Sequence, residues 1–176
     1  MKALPAEPEM GRDDALDAFL AVANAVEPDH PYLDDPYPLS RENVKFGTTR
    51  SYYGRCGPRR RGRIKVYYAT RMTYVNEISR ERHLALITHE ITHIPINGEN
   101  HSSCHGKAFW REMAFHALLV RDSLTDGTLA KVFPDANVEK YLREVVEDVN
   151  PSIVDRRQMT VDETKELLAD LLSVGI

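Results

Sequence analysis

The sequence contains little cysteine. Only Cys56 and Cys104 occur among the 176 residues, and they do not form a CxxC pair. Small secreted domains that depend on disulfides carry many more cysteines. A disulfide framework is therefore not expected, although one bridge between the two cysteines is an open alternative. We expect a reducing, cytoplasmic compartment.

Long apolar runs are also missing. No segment approaches the roughly 20 apolar residues that a membrane-spanning helix needs. The opening stretch MKALPAEPEMGRDD lacks the apolar part of a secretory signal. Neither sign of charge predominates, since 23 basic side chains against 27 acidic ones give a net charge of -4. We expect a non-secreted protein with no membrane partner, and the net charge alone demands no nucleic-acid partner.

The rest of the composition is that of an ordinary globular chain, with 42% hydrophobic and 28% charged residues. The prolines at positions 5 and 8 predict a flexible tail over residues 1–12. We assign a main domain to residues 13–121 and a C-terminal helical extension to residues 122–176. Apolar periodicity and capping residues predict helices over about Asp13–Ala25, Ser79–Pro95, His105–Arg121, Asp135–Val149 and Thr160–Val174.

The section from Val44 to Ala69 predicts strands. Ile64, Val66 and Tyr68 alternate with Lys65 and Tyr67 after a turn-like GPRRRG segment, which favours a β-hairpin. We therefore expect an α+β protein in which a small, mostly antiparallel sheet packs against the helix that follows. An edge strand there could align a peptide substrate as an added strand.

That helix carries the motif His89-Glu90-x-x-His93. Residues four apart on a helix lie about 40° apart around the axis, so both imidazoles can reach one metal ion at about 2.0–2.1 Å. Glu90 then lies beside the metal, within reach of a bound water whose pKa zinc lowers toward about 7. The motif predicts one zinc ion per chain, with Glu90 as the catalytic base of peptide hydrolysis. The alternative is a polar helix face with two ordinary histidines, but about 0.02 accidental matches are expected in such a chain.

A catalytic zinc ion usually takes three protein ligands and one water molecule. His105 is the best candidate for the third ligand because it follows a turn at the start of the next helix, and Gly106 leaves room for a close approach. His101 in the preceding loop is the second candidate, and Glu112 would serve in a site that draws its ligand from mid-helix. Cys104 and Glu99 are the remaining candidates.

The segment ALITHEITHI, followed twelve residues after His93 by HGKAFW, resembles the SprT-like (Spartan-type) zinc metalloprotease family. The resemblance covers about residues 15–120 and implies a zincin-like core. It implies His89, His93 and His105 as zinc ligands, Glu90 as the base, and cleavage of proteins, including proteins crosslinked to DNA. It also implies that Phe109 and Trp110 pack beneath the site. The four-cysteine zinc ribbon of many members has no counterpart here.

A basic stretch without acidic residues precedes the motif. Its cationic side chains, interleaved with Tyr52 and Tyr53, could hold a nucleic-acid backbone and stack on a base, or could be a solvated hairpin tip. An acidic protein segment would also fit. The cationic residues are Arg50, Arg55, Arg59, Arg60, Arg61, Arg63 and Lys65.

Two hypotheses follow. The first is a zinc-dependent endopeptidase that acts on a protein substrate, which could be bound to nucleic acid. The second is a non-catalytic module in which zinc is a structural staple, and the chain binds nucleic acid or is a component of a larger particle. In either case, the leucine-rich face of the last helix is a core face or a docking face for a partner.

Overall fold

The computed structural model describes residues 10–26, 41, 44–45, 59–61, 64–68, 75–96 and 105–173. The side chains of Pro95, Ile96 and all strand residues except Val44 lie outside this description. Helices cover Arg12–Val26 (α1), Arg80–Ile96 (α2), Lys107–Thr125 (α3), Val138–Glu147 (α4) and Val161–Ser173 (α5). Each of them matches a helix that the periodicity predicted, with ends displaced by a few residues.

Side-chain caps explain where several helices begin. The Ser79 hydroxyl accepts the backbone N–H of Arg82 at 3.2 Å ahead of α2. Before α5, Thr160 and Glu163 form the predicted capping box: the Glu163 N–H donates to the Thr160 hydroxyl at 3.2 Å, and the Thr160 N–H donates to the Glu163 carboxylate at 2.7 Å. Asn137 caps α4 by accepting the Lys140 N–H at 2.8 Å.

Helix α2 lies at the centre of the packing. It contacts α1, α3 and α4, while α3 also contacts α5. Its apolar residues Leu84, Ile87, Ile91 and Ile94 are buried in one core cluster. Its buried threonines satisfy their hydroxyls within the helix, because Thr88 donates to the Leu84 carbonyl and Thr92 to the Thr88 carbonyl.

The C-terminal helices contribute to the same core. Tyr141 and Val145 of α4 are buried, as are Leu168 and Leu172 of α5. The predicted core face of the last helix is therefore present. The predicted domain boundary after residue 121 and the docking of a partner on α5 stay predictions.

Three short strands are defined by their backbone pairing. Val44–Lys45 (β1) runs parallel to Ile64–Tyr68 (β3), and Arg59–Arg61 (β2) runs antiparallel to it, in the order β1-β3-β2. The register places Val44 opposite Tyr67 and Arg59 opposite Val66. Arg59–Arg61, which the sequence assigned to a turn, is thus strand.

The predicted α+β class is wrong. In the part of the chain that the structure describes, the folded core is helical, and the helix with the HExxH motif is enclosed by helices where a sheet was expected. The physical reason lies in the supply of apolar side chains. Among the described side chains, most of the largest buried ones, such as Phe19, Phe109, Trp110 and Tyr141, stand on helices, whereas the strand segments are two, three and five residues long.

Among the described residues, no helix is both long and apolar enough to cross a bilayer. The expected compartment stays a prediction.

The buried histidine His83 makes stability depend on pH. It lies against Phe133 with ring centroids 6.0 Å apart, and burial lowers the pKa of His83 from 6.5 to about 4. The unfolded chain takes up this proton below pH 6.5, but the folded chain resists it down to about pH 4. The contribution of neutral His83 to the free energy of unfolding is therefore fully present above pH 6.5, and it is lost as the pH falls from 6.5 to about 4.

We predict that lowering the pH from about 7 to about 5 reduces the free energy of unfolding of the wild type by about 1–2 kcal/mol more than it reduces that of His83→Gln. Urea denaturation with a metal chelator present measures both. The other histidines are the same in the two proteins, so their contribution cancels in the comparison. Equal losses would show that His83 is not the group responsible.

Candidate metal centre

Three histidine rings converge at one end of α2. His89 and His93 lie one helical turn apart, and His105 lies two residues before α3 begins. The Nε2 atom of His89 is 3.0 Å from that of His105 and 3.2 Å from that of His93. Each residue offers one potential ligand atom, and these three atoms all lie within 4.8 Å of one another. This buried group could hold a metal ion.

The spacing fits a tetrahedral ion. A tetrahedron with metal–nitrogen bonds of about 2.0–2.1 Å has nitrogens about 3.3–3.4 Å apart, close to both separations. His89 and His93 are buried, and His105 is partly exposed. The cluster therefore has one side nearer to solvent, and the residues present suit a zinc ion.

The position of His105 is fixed through its backbone carbonyl. The indole Nε1 of Trp110 donates to this oxygen at 2.9 Å, and the Asp155 N–H donates to it at 3.2 Å. Next to it, Gln158 accepts the Lys107 N–H at 3.2 Å. The segment between α4 and α5 therefore holds the third histidine in place.

Phe109 and Trp110 form the apolar floor of the site. Both are fully buried, and the Phe109 ring lies 4.6–5.0 Å from the rings of His89, His93 and His105. The packing role that the sequence gave to these two residues is confirmed. Such a floor keeps water from the inner side of the cluster.

Two of the three imidazoles are held neutral. Burial, reinforced by the neighbouring His89 and His105, lowers the pKa of His93 to about 2. Burial and then His89 lower the pKa of His105 to about 4. At neutral pH each ring therefore keeps a nitrogen lone pair for a metal ion.

His89 differs because Asp148 contacts it. Burial alone would lower the pKa of His89, but the Asp148 carboxylate raises it above the usual value. Burial would likewise raise the pKa of Asp148, but His89 and Arg82 bring it below the usual range. The distance from His89 Nδ1 to Asp148 Oδ2 is 2.7 Å. This contact leaves Nε2 of His89 directed at the other two rings.

Glu90 is buried beside the cluster, with 4% of its surface exposed. Its charge is among those that raise the pKa of His89, after the larger contribution of Asp148. The charge of the buried Glu90 therefore acts on the ring of His89, the residue before it in the motif.

The structure separates the candidates for the third ligand. It brings His105 to His89 and His93, whereas the Glu112 carboxylate lies 3.1 Å from Nε2 of His116, elsewhere on α3. His101, Cys104 and Glu99 lie outside the described residues. The role of the three histidines as ligands, and of Glu90 as a base, stays a prediction.

Asp148 and Arg82 were not anticipated from the sequence. Asp148 lies 59 positions after His89 in the segment EVVEDVN, which also holds Glu144 and Glu147. Nothing in the local pattern distinguishes these carboxylates, because only the packing of α4 on α2 brings one of them to a histidine. The side chains of the predicted nucleic-acid stretch, Arg50–Lys65, lie outside the described residues.

Gly106 gives a test of the His105 segment. A Cβ atom at this position would lie 2.3 Å from the Gln158 side-chain oxygen, so an alanine must displace the amide that accepts the Lys107 N–H. We predict that Gly106→Ala costs about 0.5–1.5 kcal/mol of unfolding free energy, the usual value of one hydrogen bond. In a Gln158→Ala background the same change should cost less, because that bond is already lost. Denaturant unfolding of the four proteins measures both costs, and strictly additive effects would contradict the account.

Comparisons with known proteins add no evidence on the family of this chain. No protein-family model, curated protein or solved structure matches the chain. The resemblance to the SprT-like family therefore rests on the segments ALITHEITHI and HGKAFW, and on the histidines that they supply.

Proposed function

We propose that the chain is a zinc-dependent endopeptidase that hydrolyses peptide bonds of protein substrates. The observation that supports this most directly is the meeting of three histidine rings, with Nε2 of His89 3.0 and 3.2 Å from those of His105 and His93, at the helix that carries the buried Glu90. Three histidines and an adjacent glutamate are the donor set of a hydrolytic zinc site, whereas structural sites are commonly closed by cysteine thiolates. The SprT-like resemblance of the two motifs supports the same activity.

His89, His93 and His105 would hold the ion. Zinc held there would lower the pKa of a bound water molecule toward about 7 and would polarise the carbonyl under attack. Glu90 takes a proton from the attacking water and passes it to the leaving amine. The apolar floor of Phe109 and Trp110 excludes bulk water from the inner side of the three histidines, so electrostatic interactions there are screened less.

The arginine-rich stretch between Arg50 and Lys65 favours substrates that are associated with nucleic acid. Its contribution is separate from the chemistry at the metal. Peptide hydrolysis does not require it.

One observation favours the non-catalytic alternative. His89, Glu90 and His93 are each less than 8% exposed, and structural zinc sites are closed while catalytic sites keep an open coordination position. In that case zinc would join α2 to the His105 segment without any chemistry. The partial exposure of His105 supports the catalytic alternative.

The direct test measures zinc content and cleavage together. We expect one zinc ion per chain in wild type and in Glu90→Gln, because the glutamate is not a ligand. Cleavage of casein and of DNA-bound protein should fall at least about 100-fold in Glu90→Gln, the scale of a lost general base. Glu77→Gln removes an exposed carboxylate ahead of the same helix and is the matched control.

Cleavage at the wild-type rate by Glu90→Gln would contradict the mechanism. Stoichiometric zinc in a wild-type chain that cleaves neither substrate would favour the structural staple.

A further inference from the structure

The carboxylate of Asp148 connects two residues of α2 across the helix packing. Asp148 follows directly after α4, and its Oδ2 lies 2.7 Å from Nδ1 of His89. Its other oxygen, Oδ1, accepts a hydrogen bond from Nη2 of Arg82 at 2.9 Å. One carboxylate oxygen therefore lies at ion-pair distance from a candidate metal ligand, and the other is hydrogen-bonded to a cation.

Arg82 and His89 are seven residues apart, so they lie on nearly the same face of α2. Arg82 is itself held, because Nη1 donates to the Glu144 carbonyl at 3.4 Å. The side chain of Asp148 is only 8% exposed. A buried carboxylate with two donors in place has little freedom to turn, and neither does the imidazole that it contacts.

The contact decides which nitrogen of His89 carries a proton. Because a carboxylate only accepts, its place 2.7 Å from Nδ1 favours the proton of a neutral His89 ring on that nitrogen. Nε2 then presents its lone pair toward His93 and His105. A histidine whose outer nitrogen donates to a carboxylate is oriented and made more basic toward a metal ion.

We propose that Asp148, held by Arg82, is a positioning residue that fixes the tautomer and ring orientation of His89 and thereby sets the affinity of the site for zinc. The proposal rests on the metal site of the proposed function, but it does not depend on peptide hydrolysis. It makes α4, which lies outside the motif and outside the predicted main domain, part of the metal centre.

The test is the zinc dissociation constant, measured by competition with a chromophoric chelator on the full chain. The Asp148 carboxylate has two acceptor oxygens, one for Arg82 and one for Nδ1 of His89, whereas asparagine has only one. Asp148→Asn therefore disturbs one of the two contacts. We expect it to weaken zinc binding by about 10–100-fold. Glu147→Gln removes an exposed carboxylate one residue away and should leave the dissociation constant unchanged.

A spectroscopic measurement separates positioning from general stability. In the zinc-loaded wild type and in Glu147→Gln, NMR should show an Nδ1 proton of His89 that is protected from exchange with water. That protection should be lost in Asp148→Asn. Wild-type zinc affinity and a protected ring proton in Asp148→Asn would overturn the proposal.

Asp148→Asn leaves the partly buried Arg82 with a weaker partner, so it is paired with a charge-balanced variant. Arg82→Met/Asp148→Ala removes both charges and so leaves no uncompensated cation at this position. We expect it to fold, by circular dichroism, and to bind zinc at least about 10-fold more weakly than wild type. Wild-type affinity in this variant would also overturn the proposal. These outcomes are distinct from failure of the proposed function, which would appear as wild type that binds zinc and cleaves nothing.

Discussion

Packing of α4 on α2 is the interaction on which the candidate metal centre depends. It is fixed at both ends. At one end, Glu81 accepts the Asn137 N–H at 3.0 Å and pairs with Lys140 at 2.7 Å. At the other end, Asp148 joins Arg82 and His89. Because buried charges are tolerated only when they are paired and hydrogen-bonded, these contacts determine how α4 lies along α2. The same placement brings the segment that follows α4 to the carbonyl of His105.

The site itself could be largely predicted from local pattern. His89 and His93 are four residues apart on a segment whose apolar periodicity specifies a helix, so their rings had to lie on one side. His105 could be chosen over other donors because a turn and a glycine precede the next helix. In the structure it joins the other two histidines, while Glu112 lies beside His116. Helix existence and caps such as Ser79 and Thr160 are equally local properties.

Two features could not be predicted from the sequence, the elements that pack on α2 and the role of Asp148, because both depend on contacts between distant segments. The alternation from Ile64 to Tyr68 predicted strand correctly, as its pairing shows, but the inference that a sheet covers α2 failed. A period of two specifies a local conformation, and it does not say which element packs against a given helix. Asp148 was missed for the same reason, since it resembles Glu144 and Glu147 until α4 is placed on α2. Its role is a property of the tertiary structure alone.

X-ray absorption at the zinc edge of the zinc-loaded chain tests the central claim most directly, because it identifies the atoms bound to the ion. The account predicts a single shell of nitrogen and oxygen at about 2.0–2.1 Å, with the multiple scattering of three imidazole rings and one oxygen donor. A sulfur scatterer at about 2.3 Å, which would place a cysteine such as Cys104 on the metal, would contradict it. So would a spectrum that accounts for only two imidazole rings.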